Sequence, residues 1–376
     1  MKRNKLKICF FAMLGVAVLI TGAIGVDYLL FRFIPPKYTG VVWDQRLGWR
    51  LNPNTSLHFP QKTLKGEQYD VLFETDADGM RTFGTNKDAA MQIIVLGDSF
   101  TGGLYVSNDK MWYAKMVEAL AQKTGRIPDE LYVRAGGAGG YGTYQNVLLA
   151  EELRGKFRPT LFIHQFCSND FYNNTLEWES EGFARNQFML RPFFNPVTGH
   201  AEYYDSILAR AYRHFAGRSR IVSELQKIDI FLQGLQFQLH GGEFPNIEPE
   251  RLEKFEKESV AITSELLVKL RANFPEVPAV LVNCSPEKTG PNQFWMDMAR
   301  EAGFTPVSAP SDFLGEATAQ GWSDVYNIDG AHMSEKGNKV YGELLADALI
   351  SANIIPRSTG SASSPKVPTP DDRVKK

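Results

Sequence analysis

The chain has 376 residues, 43% of them hydrophobic and 22% charged, which supplies a sizeable core and excludes wholesale disorder. Its 32 Gly and 20 Pro are scattered and no heptad persists, so collagen-like and coiled-coil chains are excluded too. The formal charge of −2 conceals an acidic body: Asp27 to Pro356 carries 32 bases against 41 acids, which gives nucleic acid no electrostatic footprint.

The first element is at the N-terminus. Lys2, Arg3, Lys5 and Lys7 precede an uncharged run of nineteen residues from Ile8 to Val26. That length is enough to span a bilayer as a helix and is long for a signal-peptide core. Residues 1–7 therefore read as a cytoplasmic basic flank and residues 8–26 as a single-pass transmembrane signal anchor, with the chain beyond Asp27 outside the cytoplasm. A cleavable signal peptide is the competing reading, because Thr21-Gly22-Ala23 offers a small-x-small site and cleavage there would make the protein secreted.

Residues 37–90 form a polar, turn-rich approach segment expected to pack on the domain that follows. It contains WDQRLGWRLNPN and ETDADGMRTF, in which Trp49 and Arg81 read as packing and salt-bridge residues. From Met91 apolar runs alternate with helical periodicity: strands over 93–99, 131–137 and 161–167, with helices over 112–122 and around 144–154. Residues 171–250 interrupt the rhythm with aromatics, Asn, a hairpin-like RPFFNPVTGHAEYY and an amphipathic stretch near 219–232. The rhythm resumes with a helix near 251–273, a strand over 279–284, a helix near 291–302 and a last helix over 335–351. The Ser/Pro-rich tail 357–376 reads as disordered. The alternation predicts an α/β fold: a flavodoxin-like three-layer α/β/α sandwich on a mostly parallel sheet, residues 91–356, with 171–250 as an insertion.

Cys167 and Cys284 each close an apolar run. Core packing is the first expectation for both, and a bridge between them in an oxidising compartment is the second. Neither has the spacing of a zinc ligand, no HExxH or carboxylate cluster suggests another metal, and GGAGGYG lacks nucleotide-loop spacing, so no cofactor is expected. His164 sits in an apolar strand and reads as a satisfied core histidine; His58, His200, His214 and His240 read as surface or loop residues.

In a doubly wound sheet the chemistry lies at the carboxyl ends of the strands. The first end carries Gly97-Asp98-Ser99-Phe100-Thr101-Gly102-Gly103, the second Gly136-Gly137-Ala138-Gly139-Gly140-Tyr141-Gly142, and the third Cys167-Ser168-Asn169-Asp170. Asp329-Gly330-Ala331-His332 precedes the last helix. Acyl transfer uses this inventory. A serine hydroxyl needs a base to take its proton, imidazole suits that task, and a carboxylate fixes the imidazole tautomer. Backbone N–H groups at Ser99 and Gly137 and the Asn169 amide would face the developing oxyanion. Asp98 reads as a cap of its own loop in preference to an orienter of the base. GDSFT does not fit the GxSxG elbow, since Thr101 replaces the second glycine.

These blocks, in the order GDSFTGG, AGGAGGYGT, CSND and DGAH, resemble the SGNH (GDSL-type) hydrolase superfamily over roughly residues 90–356. The resemblance implies Ser99 as nucleophile, His332 as base, Asp329 as its orienter, and Ser99, Gly137 and Asn169 as the oxyanion hole. Ala135 stands where the family often has Asn, and Ser168 precedes the block-three asparagine. LGWRLNPN and DADGMR look like the region that precedes the hydrolase domain in membrane-associated bacterial members.

The expected function is a serine esterase working through an acyl-enzyme on an ester-bearing small molecule, lipid or glycan. An O-acetyltransferase acting on a surface polysaccharide is the alternative, since the triad does not choose the acceptor, and a catalytically silent envelope binding module is the third reading. The aromatics of the insertion are expected to shape the substrate pocket, because the insertion starts directly after Asn169 and far exceeds the roughly two to six residues of an ordinary βα loop.

Overall fold

The computed structural model describes residues 2–33, 40–181, 189–222, 224 and 247–355. One unbroken helix runs from Lys2 to Phe33, so the Thr21-Gly22-Ala23 site lies within a helix. Its segment Met13–Phe33 is long and apolar enough to cross a bilayer, a property shared by membrane anchors and signal sequences. That stretch overlaps the expected span 8–26 from Met13 onward and runs seven residues past it.

The approach segment holds two antiparallel hairpins, β1 (Val41–Asp44) with β2 (Gly48–Leu51) and β3 (Ser56–Lys62) with β4 (Gln68–Glu74). Strand β5 (Arg81–Phe83) then joins the main sheet. That sheet is completed by β6 (Met91–Gly97), β7 (Leu131–Gly137) and β8 (Leu161–Phe166), and, after the short hairpin β9 (Phe193–Phe194) and β10 (Ala201–Glu202), by β11 (Ala279–Asn283) and β12 (Thr305–Val307). The order is β12-β11-β8-β6-β7-β5, parallel throughout except for β5, which runs antiparallel along the β7 edge.

The central strands are continuous apolar runs because both faces of the sheet are covered. Ile94, Leu96, Phe162, Phe166 and Leu281 face a core shared with the helices Thr143–Leu153, Pro249–Arg271 and Trp295–Glu301. Ile93, Val95, Ile163, Val280 and Val282 face the other, shared with Trp112–Thr124, Ala309–Ala319 and Glu335–Ser351. The result is the three-layer α/β/α sandwich. Each fully buried side chain of this size contributes roughly 1.5–3 kcal/mol.

The chain passes from β6 to β7 on one side and later to β8 on the other. The carboxyl end of β6 is therefore the switch point where an open α/β sheet leaves a crevice. In the described parts of the insertion Phe171, Phe193 and Phe194 are buried, and Trp178 stacks on Phe255 at 6.3 Å. Most of the amphipathic stretch predicted near 219–232, and the tail 357–376, lie outside the described residues.

Candidate active site

Ser99 opens a one-turn helix, Ser99–Gly102, directly off β6. Asp98 caps it, its Oδ1 accepting the Phe100 N–H at 2.9 Å, as its sequence reading expected. One strand over, Gly97 and Gly137 are register partners. A Cβ at Gly137 would meet the Gly97 and Asp98 carbonyl oxygens at 2.5 and 2.8 Å, so only glycine lets the β7 end approach the serine turn this closely. A Cβ at Gly136 would instead meet Met80 and Leu149, on the side of the core. Gly137, not Gly136, is the glycine against the serine block.

On the other side of β6, Asn169 begins the helix Asn169–Asn173. Its Nδ2 donates to Asn173 Oδ1 at 2.9 Å and lies 3.5 Å from the Tyr141 carbonyl oxygen, which places the amide between the β8 end and the glycine loop. Ser168 N donates to Ser285 Oγ at 2.7 Å. Beside it Cys167 and Cys284 form a disulfide, with Cα atoms 5.1 Å apart, in place of the expected packing as separate core residues. The reason is register: Phe166 and Asn283 are partners on parallel β8 and β11, so the next residue on each strand lands side by side. Asp98, Cys167 and Cys284 have metal-binding donor types within 4.8 Å of one another, but both sulfurs are committed to the disulfide.

The late loop brings in the fourth block. His332 Nδ1 donates to Asp329 Oδ2 at 2.7 Å, and Asp329 Oδ1 accepts the backbone N–H groups of Ala331 and His332 at 3.0 and 2.9 Å. Burial alone would raise the Asp329 carboxyl, but the His332 ring and these N–H groups outweigh it and hold it below the ordinary carboxylate range. With Nδ1 committed, Nε2 is left for a hydroxyl. Ser99 and His332 line one narrow crevice, with the Phe100 and Tyr105 rings 5.0 and 5.2 Å from the imidazole, and no hydrogen bond joins the two side chains in this state. Catalytic hydrogen bonds often tighten only when substrate is present.

A part of the site not foreseen from the sequence is the β3–β4 hairpin. Its tip grips the Asp329–His332 loop: Leu64 N donates to the Tyr326 carbonyl at 3.0 Å, and Ile328 N to that of Lys62 at 3.1 Å. Tyr69 donates to Asn327 Oδ1, and Asn327 Nδ2 donates to the Met333 carbonyl at 2.9 Å. Arg81, expected to form a salt bridge, is instead fully buried and spends its N–H groups on the Gly102, Gly103 and Val106 carbonyls and Asn108 Oδ1. It thereby braces the loop after Ser99. Trp49 packs as expected, its Nε1 donating to the Gly139 carbonyl at 3.0 Å. His164 is buried as expected but only half satisfied. Nδ1 bonds the Leu96 carbonyl at 3.1 Å, Nε2 lacks a hydrogen-bond partner, and burial pulls its pKa down to about 4.

A cavity of about 550 Å³ opens beside Phe100 and Asn169, walled by Leu64, Pro286, Trp322 and Tyr326. Among the described residues none of its lining comes from 171–204; of the aromatics expected to shape the pocket, Phe171, Phe193 and Phe194 are buried in the core, and Phe183 and Phe188 lie outside the described residues.

The sequence matches the family model GDSL-like Lipase/Acylhydrolase over residues 93–345. The chain belongs to this family. It is an ester-hydrolysing enzyme of the GDSL/SGNH superfamily. Among solved structures it is similar to the psychrotrophic esterase EstA from Pseudoalteromonas sp., at 11% identity and TM-score 0.38 over 70% of this chain and 99% of that one. An acetyl xylan esterase, AlAXEase, is similar at 14% identity and TM-score 0.37, over 69% of this chain and 100% of the other. An acetyl-xylooligosaccharide esterase from Geobacillus is similar at 13% identity and TM-score 0.38, over 74% and 100%. No curated protein matches the sequence.

Asp98 sets a pH dependence. Burial pushes its carboxyl up to about 6, against the opposing N–H of Phe100 and the charge of His332. A carboxyl raised in the folded state contributes stability that is complete below its unfolded pKa and lost as pH rises through the folded one. For Asp98 the window is pH 4 to 6, with a loss of up to roughly 3 kcal/mol above it. Asp98→Asn should therefore flatten the decline in Tm between pH 4 and pH 6.5. An unchanged Tm profile would mean that Asp98 titrates like an exposed carboxylate.

Proposed function

We propose that the enzyme is a membrane-tethered serine esterase in which Ser99 attacks the ester carbonyl, His332 takes the serine proton, and Asp329 holds His332 with its proton on Nδ1. The collapsing tetrahedral intermediate expels the alcohol, which receives that proton from His332, and leaves an acyl group on Ser99 Oγ. Water, deprotonated by His332, then attacks the acyl carbonyl. The intermediate collapses by breaking the bond to Ser99 Oγ, which takes the proton back from His332 as the acid leaves. The backbone N–H groups of Ser99 and Gly137 and the Asn169 amide receive the oxyanion at each stage. The observation that carries this reading is the 2.7 Å bond from His332 Nδ1 to Asp329, formed beside Ser99 at the sheet's switch point.

A serine-directed fluorophosphonate should add to Ser99 and to no other residue, as read by peptide mass spectrometry. Labelling that persists in Ser99→Ala would overturn the assignment.

The cavity supports an acyl ester as the substrate class, because apolar side chains of Leu64, Pro286 and Trp322 face it and its volume exceeds what an acetyl group needs. Along a p-nitrophenyl ester series, Trp322→Ala should lower kcat/KM for octanoate about tenfold while acetate stays within about twofold, since only the longer chain reaches that wall. Equal loss on both esters would separate Trp322 from acyl recognition. The helix Met13–Phe33 favours a single-pass anchor with the hydrolase domain on the far side of the membrane from the basic flank at Lys2–Lys7.

A further inference from the structure

Arg191 and Glu179 are both sealed from solvent, and both belong to the insertion that follows Asn169. Arg191 Nε lies 2.6 Å from Glu179 Oε2. A buried charge pair is a weak source of net stability, because desolvation offsets the Coulombic gain, so its placement calls for another account. The guanidinium lies against the Trp49 ring, 5.0 Å from its centroid, and reaches out of the insertion to one acceptor on the glycine loop and one on the helix that follows it. Nη1 donates to the Gly140 carbonyl and to Gln145 Oε1, each at 2.5 Å. Gln145 Oε1 also accepts the Gly142 N–H at 3.1 Å. One arm of the arginine therefore fixes the loop that follows Gly137.

The other arm leads to Asn169. Glu179 Oε2 accepts from Asn173 Nδ2 at 3.3 Å, and Asn173 Oδ1 accepts from Asn169 Nδ2 at 2.9 Å. With the Asn173 amide reversed, its oxygen instead accepts directly from Arg191 Nη2 at 3.2 Å. In that reversed orientation the Asn173 nitrogen donates to the Asn169 backbone carbonyl at 3.2 Å, so Asn173 still joins Asn169 to the ion pair, through its main chain in place of its side chain. The two protein walls assigned above to the oxyanion, one on β7 and one on β8, thus meet at a single buried cation.

We propose that Arg191 is a positioning residue for the oxyanion hole, holding the Gly140 carbonyl and, through Asn173, the Asn169 residue that carries the amide, so that the insertion is part of the esterase machinery. The inference rests on the oxyanion role of Asn169 given under the proposed function. It assigns Arg191 no contact with substrate.

The test uses the full chain purified in mild detergent, with p-nitrophenyl butyrate as substrate. Arg191→Met alone strands Glu179 as a buried unpaired charge and threatens folding, so the informative variant is the neutral pair Arg191→Met with Glu179→Gln. A misplaced donor costs transition-state stabilisation first, so kcat should fall about 10–100-fold with KM within about threefold. Arg191→Lys, which keeps the charge and loses the fork, should recover part of that loss. A double-mutant cycle separates positioning from general loosening: in an Asn169→Ala background the paired substitution should cost less than about threefold more, because the amide it aligns is gone. Wild-type kcat in the paired variant, or the same fold-loss with and without the Asn169 side chain, would overturn the inference. Failure of the esterase reading itself would look different: Ser99→Ala would then retain turnover, whatever Arg191 does.

Discussion

Ser99→Ala and His332→Ala should each lower kcat for p-nitrophenyl butyrate by roughly 10⁴–10⁶-fold, and the double variant should be no worse than the more damaged single one. The non-additivity follows from the geometry. His332 Nδ1 is tied to Asp329, and in the proposed mechanism its free nitrogen has one task, which is to accept the serine proton. Without the serine the base has nothing to activate, and without the base the hydroxyl is too weak a nucleophile. Neither replacement should disturb the fold. Ser99 is only partly buried, and the turn that carries it is held by the Asp98 cap and by Arg81 on the Gly102 and Gly103 carbonyls. Thermal unfolding monitored beside the kinetics checks this. Wild-type turnover in Ser99→Ala with an unchanged Tm would sink the nucleophile assignment. A drop in kcat with a collapsed Tm would instead identify Ser99 as a folding residue.

What the sequence reveals and what it hides divide along a physical line. Strands buried on both faces are written as unbroken apolar runs, so β6, β7, β8 and β11 are legible, and the residues just after their carboxyl ends are therefore legible as a site. The last helix, Glu335–Ser351, matches its predicted bounds because a serine cap marks its start, Ser334 Oγ accepting the Gly337 N–H. Three-residue strands carry no periodicity, so β5 and β12 leave no trace. Partners distant in sequence are equally silent. Tyr69 is 258 residues from Asn327, and nothing local announces that a hairpin before the sheet will grip the loop after it. Cys167 and Cys284 looked like core residues because each closes an apolar strand; only the adjacency of β8 and β11 makes them a bridge. Arg191 follows the same rule. In sequence it is one base in an aromatic-rich insertion, and its meaning comes from Glu179, Gly140 and Gln145 converging on it. The acceptor of the acyl group, water or a sugar hydroxyl, is illegible for a related reason, since the pocket wall decides it and the triad does not.

The proposed oxyanion hole gives the second large effect. Asn169→Ala should lower kcat by about 10²–10³-fold and leave KM within about threefold. The split is the diagnostic part. In the ground state the ester carbonyl carries little charge and sits short of the hole, so the Asn169 amide gains little from it. In the tetrahedral intermediate the same oxygen is an anion, and a preorganised donor in a site with restricted water stabilises it without reorganising. In the resting enzyme that amide lies between the Asn173 side chain and the Tyr141 carbonyl oxygen, 3.5 Å away, so it already faces the glycine loop when substrate arrives. Asn169→Asp should be worse than Asn169→Ala. It removes the donor and sets a further carboxylate near the buried Asp98 and Asp170, whose ionisation burial already resists. The ordering wild type, Ala, Asp in kcat, measured at pH 8 where an added carboxylate is ionised, tests charge as well as hydrogen bonding. If Asn169→Ala raises KM as much as it lowers kcat/KM, the amide binds substrate and transition state alike. The oxyanion would then belong to the backbone donors of Ser99 and Gly137 alone.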